Sequence, residues 1–186
     1  MKSPIYAPAE DTFLLADVLR KEQIGNKAVL EIGCGSGYLT KILAEKKANV
    51  TAVDINPGAV EATKKLLSEE KLDGHVFQSD LFSNVAGKFD LIVFNPPYLP
   101  ESEDDEVAGS DARYSGGRSG REIIERFVKE SANHLVAGGK IMILISILTG
   151  ERETIALFEK FGFITSVRAR KKIDWEELVV LEATKK

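Results

Sequence analysis

Asn95-Pro96-Pro97-Tyr98 follows the apolar run Asp90-Leu91-Ile92-Val93-Phe94 and combines residue types suited to holding a planar NH2 group. Two consecutive prolines give up their N–H donors and stiffen the turn. The Asn95 side-chain carbonyl and the Pro96 main-chain carbonyl are left to accept from an incoming NH2, and Tyr98 can stack on the flat group that carries it. An amide or aniline-like nitrogen is a poor nucleophile because its lone pair is delocalised. Acceptors that aim this lone pair and stabilise charge developing on nitrogen lower the barrier without a strong general base. Adenine N6 and a glutamine side-chain amide suit these four residues equally, so the motif implies a reaction class and leaves the acceptor open.

Roughly 60 residues earlier stands Glu31-Ile32-Gly33-Cys34-Gly35-Ser36-Gly37, a glycine loop after another apolar run. Such a loop lets backbone N–H groups approach a ligand closely. The spacing Gly33-x-Gly35-x-Gly37 departs from a dinucleotide fingerprint, because Tyr38 occupies the place of its third glycine. Glu31 would also repel a pyrophosphate. A cationic ligand reverses that logic, and S-adenosylmethionine carries both a sulfonium and an ammonium. Asp54 lies about 20 residues past the loop, where an acid can accept both ribose hydroxyls. Asp80-Leu81 ends a further strand, placing a carboxylate near an adenine amino group and an aliphatic chain against the ring. Cys34 reads as a small residue tucked under the loop and not as a nucleophile.

Alternating strands and helices must position these groups. Pro8 begins a helix with Ala9, Glu10 and Asp11 in its first turn and Leu14, Leu15, Val18 and Leu19 on its buried face. Ala28–Ile32, Asn49–Val53, His75–Gln78, Phe89–Phe94 and Lys140–Ile145 are predicted strands. Helices are expected from Tyr38 to about Lys46, from Asn56-Pro57 as N-cap and first residue, over Arg121–Leu135 and over Glu151–Phe161. Gly138-Gly139 should end the Arg121–Leu135 segment. Phe163–Ala169 and Leu178–Ala183 lack a helix between them and should pair as a hairpin. The pattern is α/β, a mostly parallel sheet with right-handed crossovers and a final antiparallel pair. In open sheets of this kind ligands bind at the carboxyl ends of the strands, where every residue singled out above falls.

The chain has 186 residues, enough for one domain over residues 1–186, and no repeat or linker divides it. A net charge of −4 argues against strong unspecific binding to nucleic acid, which depends on neutralising phosphates. One cysteine makes no internal disulfide, and with His75 and His134 far apart no metal site is expected. No apolar run approaches a membrane span and no apolar targeting segment precedes the first helix, so the cytoplasm is the expected compartment.

Tyr6-Ala7-Pro8-Ala9-Glu10-Asp11-Thr12-Phe13-Leu14-Leu15, Glu31–Gly37, Asp54-Ile55-Asn56-Pro57, Asn95–Tyr98 and Gly116-Gly117-Arg118-Ser119-Gly120-Arg121-Glu122 together resemble the HemK-like protein-(glutamine-N5) methyltransferases, which act on peptide-chain release factors. The likeness is to the short archaeal and eukaryotic form. It implies a class I, Rossmann-like methyltransferase fold with seven strands in the order 3-2-1-4-5-7-6. It implies S-adenosylmethionine as cofactor and S-adenosylhomocysteine as product, with Thr12, Glu31, Gly33, Asp54, Asp80 and Leu81 in contact. Asn95 to Tyr98 would hold the glutamine of a Gly-Gly-Gln loop. Cys34 stands where relatives can carry serine.

Leu99–Gly120 is longer than the ~12–15 residues usual for a structureless connection, and its Glu101, Glu103, Asp104, Asp105 and Glu106 would repel a DNA backbone, favouring a peptide acceptor. Arg113, Arg118 and Arg121 could pair with substrate or with those acids. Arg168, Arg170, Lys171 and Lys172 look like a solvated hairpin end. The order implied by the resemblance makes His75–Gln78 an edge strand with Val76 and Phe77, open to pairing. The resemblance implies that a small zinc-binding activator covers that side as a heterodimer. Two rivals stand beside this reading: an adenine-N6 methyltransferase acting on DNA or RNA, weakened by the acidic balance, and a cofactor-binding scaffold without chemistry, weakened by the intact Asn95–Tyr98.

Overall fold

The computed structural model describes residues 5–97, 121–174 and 176–186. Their strands are β1 (Ala28–Ile32), β2 (Asn49–Asp54), β3 (His75–Gln78), β4 (Phe89–Phe94), β5 (Leu135–Ser146), β6 (Phe163–Ile173) and β7 (Glu176–Lys185). Their α-helices are α1 (Glu10–Leu19), α2 (Tyr38–Glu45), α3 (Pro57–Glu70), α4 (Glu122–Ser131) and α5 (Glu151–Lys160). The strands form one sheet in the order β3-β2-β1-β4-β5-β7-β6, as the resemblance implied. The first five run parallel, and β7 is antiparallel to both β5 and β6.

Successive side chains of a strand face opposite ways, and both faces of this sheet are covered. Val29, Leu91, Val93 and Met142 pack beneath Leu15, Leu19 and Leu43 of α1 and α2. Leu30, Ile92, Phe94 and Ile143 pack beneath Phe127 of α4 and Phe158 of α5. The alternation decides where two polar residues point. Glu31 shares the side of Val29, toward α2, and Asn95 continues the side of Leu91 and Val93, toward α1.

Several helix ends match their local chemistry. Asn56 caps α3 by accepting from the Gly58 N–H at 2.9 Å, and Pro57 fills the first helical position. α1 begins at Glu10, two residues later than Pro8, because Ala9 is still extended.

The largest departure from expectation lies before β5. The helix expected to reach Leu135 ends at Ser131, and a single 3-10 turn, Ala132–His134, leads directly into the strand. β5 then runs through Gly138-Gly139 instead of starting after them. Phe89 opposes Leu135 while Leu91 opposes Lys140, so the intervening β5 residues form a wide bulge. Gly138 has φ +70°, and a Cβ on Gly139 would sit 3.1 Å from the Phe89 carbonyl oxygen. These glycines serve a bend within a strand, although their sequence signal is that of a helix stop.

The hairpin is also longer than expected, and its basic residues are less free. Arg168 pairs with Glu22 and Glu182, Arg170 with Glu151 and Glu177, and Lys171 with Glu10. β6 is thereby tied to the start of α1 and to α5. Among the described residues no helix is long and apolar enough to cross a membrane.

Candidate active site

The carboxyl ends of β1, β2, β3 and β4 lie side by side, which gathers Glu31, Asp54, Asp80 and Asn95 from distant parts of the chain. Gly33, Gly35 and Gly37 all have positive φ. At Gly37 a Cβ would come within 3.1 Å of the Thr63 Cα, so the loop seats against α3 only without a side chain there.

The loop differs in one respect from an anion cradle. The N–H groups of Gly33 and Cys34 both donate to the Val53 carbonyl, at 2.8 and 3.0 Å, and that of Gly37 to the Cys34 carbonyl at 2.8 Å. The Gly35 N–H donates to Asp54 Oδ2 at 2.9 Å. These donors are engaged inside the protein, and the charge nearby is negative, as suits a cation and not a phosphate. Asp54 also accepts from the Asn56 N–H on Oδ1 at 2.8 Å, and the carboxylate keeps acceptor capacity for a hydroxyl. Burial raises its pKa against the lowering effect of these N–H groups.

Glu31 is 2% exposed and accepts from the Thr40 hydroxyl. Burial pushes its pKa up to about 8; the Thr40 bond opposes this, and the charge of Asp54 adds to it. Between the ordinary value of 4.5 and about 8 the folded protein retains a proton that the unfolded chain has lost. Stability therefore falls as pH rises through that window. Thermal unfolding of the ligand-free protein across it should show a declining midpoint, and Glu31→Gln should flatten the slope. An undiminished slope in that variant would place the titrating group elsewhere. Cys34 is buried and its thiol pKa is driven up by burial, consistent with a packing role.

At β4 the Asn95 Nδ2 donates to Asp11 Oδ2 at 3.0 Å and lies 3.5 Å from Thr12 Oγ1. Its Oδ1 is buried and has no partner among the described residues. Among the described residues Asp11 accepts from four donors: the Tyr6 hydroxyl at 2.8 Å, the Thr12 N–H at 2.6 Å, the Thr12 hydroxyl at 3.2 Å and the Asn95 amide. A carboxylate beside the asparagine must face its NH2, so the carbonyl points the other way. Pro96 is buried and Pro97 half-buried; Tyr98 and the 99–120 connection, with its acidic run, Arg113 and Arg118, lie outside the described residues. Arg121 Nη1 would lie 3.0 Å from a Cβ on Gly150, at the turn before α5.

Asp11 was not anticipated. In sequence it is an acid in a first helical turn, a placement explained well enough by the helix dipole. Its partner is 84 positions away. Asp80 is met by Arg126 of α4 at 2.8 Å, another contact without a local signal, and Leu81 beside it is buried with φ +46°. Ile55, next to Asp54, is left 64% exposed.

A family model described as Methyltransferase small domain matches residues 10–111. A Methanocaldococcus jannaschii protein that bears the name of a protein N5-glutamine methyltransferase is 46% identical over 181 residues, covering 96% of this chain and 91% of its own. The chain belongs to the HemK-like methyltransferases. Human methyltransferase HEMK2 is 31% identical over 98% of the chain and 91% of its own length. Among solved structures, Mtq2 in the E. cuniculi Mtq2–Trm112 complex, described as methylating the translation termination factor eRF1, superposes with a TM-score of 0.80 at 30% identity. It covers 98% of this chain, and this chain covers 99% of it. The T. thermophilus 16S rRNA methyltransferase RsmC, bound to AdoMet and guanosine, shares the fold at 22% identity and TM-score 0.74. This HemK-like chain is an S-adenosylmethionine-dependent methyltransferase of the class I fold.

Proposed function

We propose that this HemK-like enzyme methylates the side-chain amide nitrogen of the glutamine in the Gly-Gly-Gln loop of a peptide-chain release factor. The observation that carries the reading is the buried Oδ1 of Asn95, without a partner among the described residues and turned away from Asp11 by the bond to Nδ2. An unpaired buried acceptor costs about 1–3 kcal/mol, and an incoming NH2 would satisfy it. The likenesses to the M. jannaschii protein, HEMK2 and Mtq2 support a glutamine over adenine as the carrier of that NH2.

Bound at the loop, S-adenosylmethionine supplies a methyl group made electrophilic by its sulfonium. Glu31 and the glycine loop of Gly33, Gly35 and Gly37 would hold the cationic end, Asp54 the ribose, and Asp80 the adenine amino group. Thr12 would line the methionine side, and Leu81 would pack on the base. Asn95 Oδ1 and the Pro96 carbonyl accept the two N–H bonds of the substrate amide, and Pro97 and Tyr98 keep its plane fixed. This would aim the nitrogen lone pair at the methyl group. Transfer would make one nitrogen–carbon bond for the methyl–sulfur bond lost, with one amide proton passing to water. Alignment of this kind supplies up to ~7–11 kcal/mol.

Asp11 positions Asn95 without touching the reacting atoms. Asp11→Asn would set NH2 against NH2 and favour a flipped Asn95. Its kcat is expected to fall about 50-fold, in line with ~2–3 kcal/mol for an unmade bond to a charged group, with little change in cofactor affinity. Parallel loss in both would instead mean that α1 had been displaced.

We also infer that a small activator pairs with β3. Among the described residues its outer edge has no strand neighbour, and its His75 and Phe77 rings lie with centroids 4.8 Å apart. The Trm112 subunit named with Mtq2 supports the idea; the zinc implied by the resemblance would belong to that subunit. A cytoplasmic location follows from a release-factor substrate.

The deciding experiment offers labelled S-adenosylmethionine with a release factor, its Gly-Gly-Gln→Gly-Gly-Ala variant, or unmethylated DNA, with the activator present throughout. Label on the wild-type factor alone supports the proposal. Label on DNA with both factors blank would transfer the same chemistry to adenine N6.

A further inference from the structure

Arg126 lies on α4, outside every sequence motif that pointed to the site, yet its Nη2 donates to Asp80 Oδ2 at 2.8 Å. Both side chains are partly exposed, at 51% and 43%, and an isolated surface pair of this kind contributes little to stability. Its surroundings distinguish it from an incidental pair. Phe127, the next residue of α4, stacks on Phe82 with centroids 5.5 Å apart and packs on Phe94 at 4.7 Å. Phe82 is two residues beyond Asp80, so α4 is registered on the turn that carries the acid.

The turn itself is tightly built. The Ser79 hydroxyl donates to the Leu81 carbonyl at 2.9 Å and accepts from the Asn84 N–H at 3.0 Å, while the Ser83 N–H donates to the Asp80 carbonyl at 3.0 Å. Leu81, a non-glycine residue, is held in the left-handed region, an arrangement that persists when surrounding bonds over-determine it. Asp80 thus has a fixed backbone, one carboxylate oxygen anchored by Arg126, and the other without a partner among the described residues.

We propose that Arg126 is a positioning residue for cofactor selection: by anchoring Oδ2, it holds the second oxygen of Asp80 toward position 6 of the purine. This rests on the reading of Asp80 as the adenine contact. A carboxylate fixed there accepts from a 6-amino group and repels a 6-oxo group. A carboxylate free to turn away does both less well, so Arg126 sharpens the preference for adenosyl over inosyl ligands without contacting the reacting atoms.

The test is calorimetric binding of S-adenosylhomocysteine and S-inosylhomocysteine to the wild type, Arg126→Met, Arg126→Lys and Asp80→Asn. The adenosyl preference should narrow about three- to fivefold in Arg126→Met, as expected for one charge-assisted bond at a partly exposed site. Arg126→Lys should restore most of it, and Asp80→Asn should narrow it at least as far. Parallel weakening of both ligands in Arg126→Met, or none, with a narrowed preference in Asp80→Asn, overturns the role of Arg126 and leaves that of Asp80. An unchanged preference in Asp80→Asn removes the adenine contact and the proposal with it.

Discussion

Asn95→Ala is expected to lower kcat by about 10²–10³-fold while leaving the cofactor Kd nearly unchanged, the loss typical of removing one preorganised group that meets charge as it develops. The reasoning starts from geometry. Oδ1 is buried and without a partner among the described residues, a destabilised acceptor that a substrate NH2 would relieve. Alanine removes both the acceptor and the donor to Asp11, which keeps Tyr6 and Thr12 as partners. The fold should therefore survive, and circular dichroism with a thermal melt would establish that. Single-turnover kinetics at saturating cofactor separates chemistry from binding. Loss of cofactor affinity with kcat preserved would reverse the roles assigned to the loop and to the asparagine. Asn95→Asp is expected to be no better, because it sets a second carboxylate against Asp11.

Asp54→Ala should do the opposite. Cofactor Kd is expected to rise about 10- to 100-fold with kcat at saturation largely retained. Two effects combine: the ribose hydroxyls lose their acceptor, and the N–H groups of Gly35 and Asn56 lose theirs. Each unpaired donor costs about 1–3 kcal/mol if it stays buried, enough to loosen the loop at Gly35 as well as the start of α3. Titration calorimetry reads the affinity directly. A variant with normal Kd and depressed kcat would show that Asp54 orients the loop for chemistry and is not a ribose ligand.

Much of this arrangement was legible in the chain. β1, β3 and β4 begin and end as their apolar runs and polar stops suggest, and Asn56-Pro57 caps α3 as its residue types require. These signals are local: a strand end, a cap and a glycine turn are each set within a few residues. The strand order came from resemblance, because nothing in β7 itself says that it inserts between β5 and β6. What escaped were relations across the fold. Asp11 and Asn95 meet only once the start of α1 reaches the residue that follows β4, and Arg126 reaches Asp80 only once Phe127 has docked on Phe82. Gly138-Gly139 misled for the converse reason, since a positive-φ glycine is equally at home past a helix and in a bulge.

The glycine loop has a bearing on turnover. With the N–H groups of Gly33, Cys34, Gly35 and Gly37 already engaged, the loop would meet a bound ligand chiefly with the field of its acids, and that field acts on net charge. Each methyl transfer turns a sulfonium into a neutral thioether, so the ligand departs one positive charge poorer than it arrived. In the reading proposed above, such a pocket would loosen its hold once the reaction is complete, and Glu31, as the neighbouring cation leaves, would recover the proton that burial favours. Release of the spent cofactor would thus be favoured by the same acids that hold the fresh one.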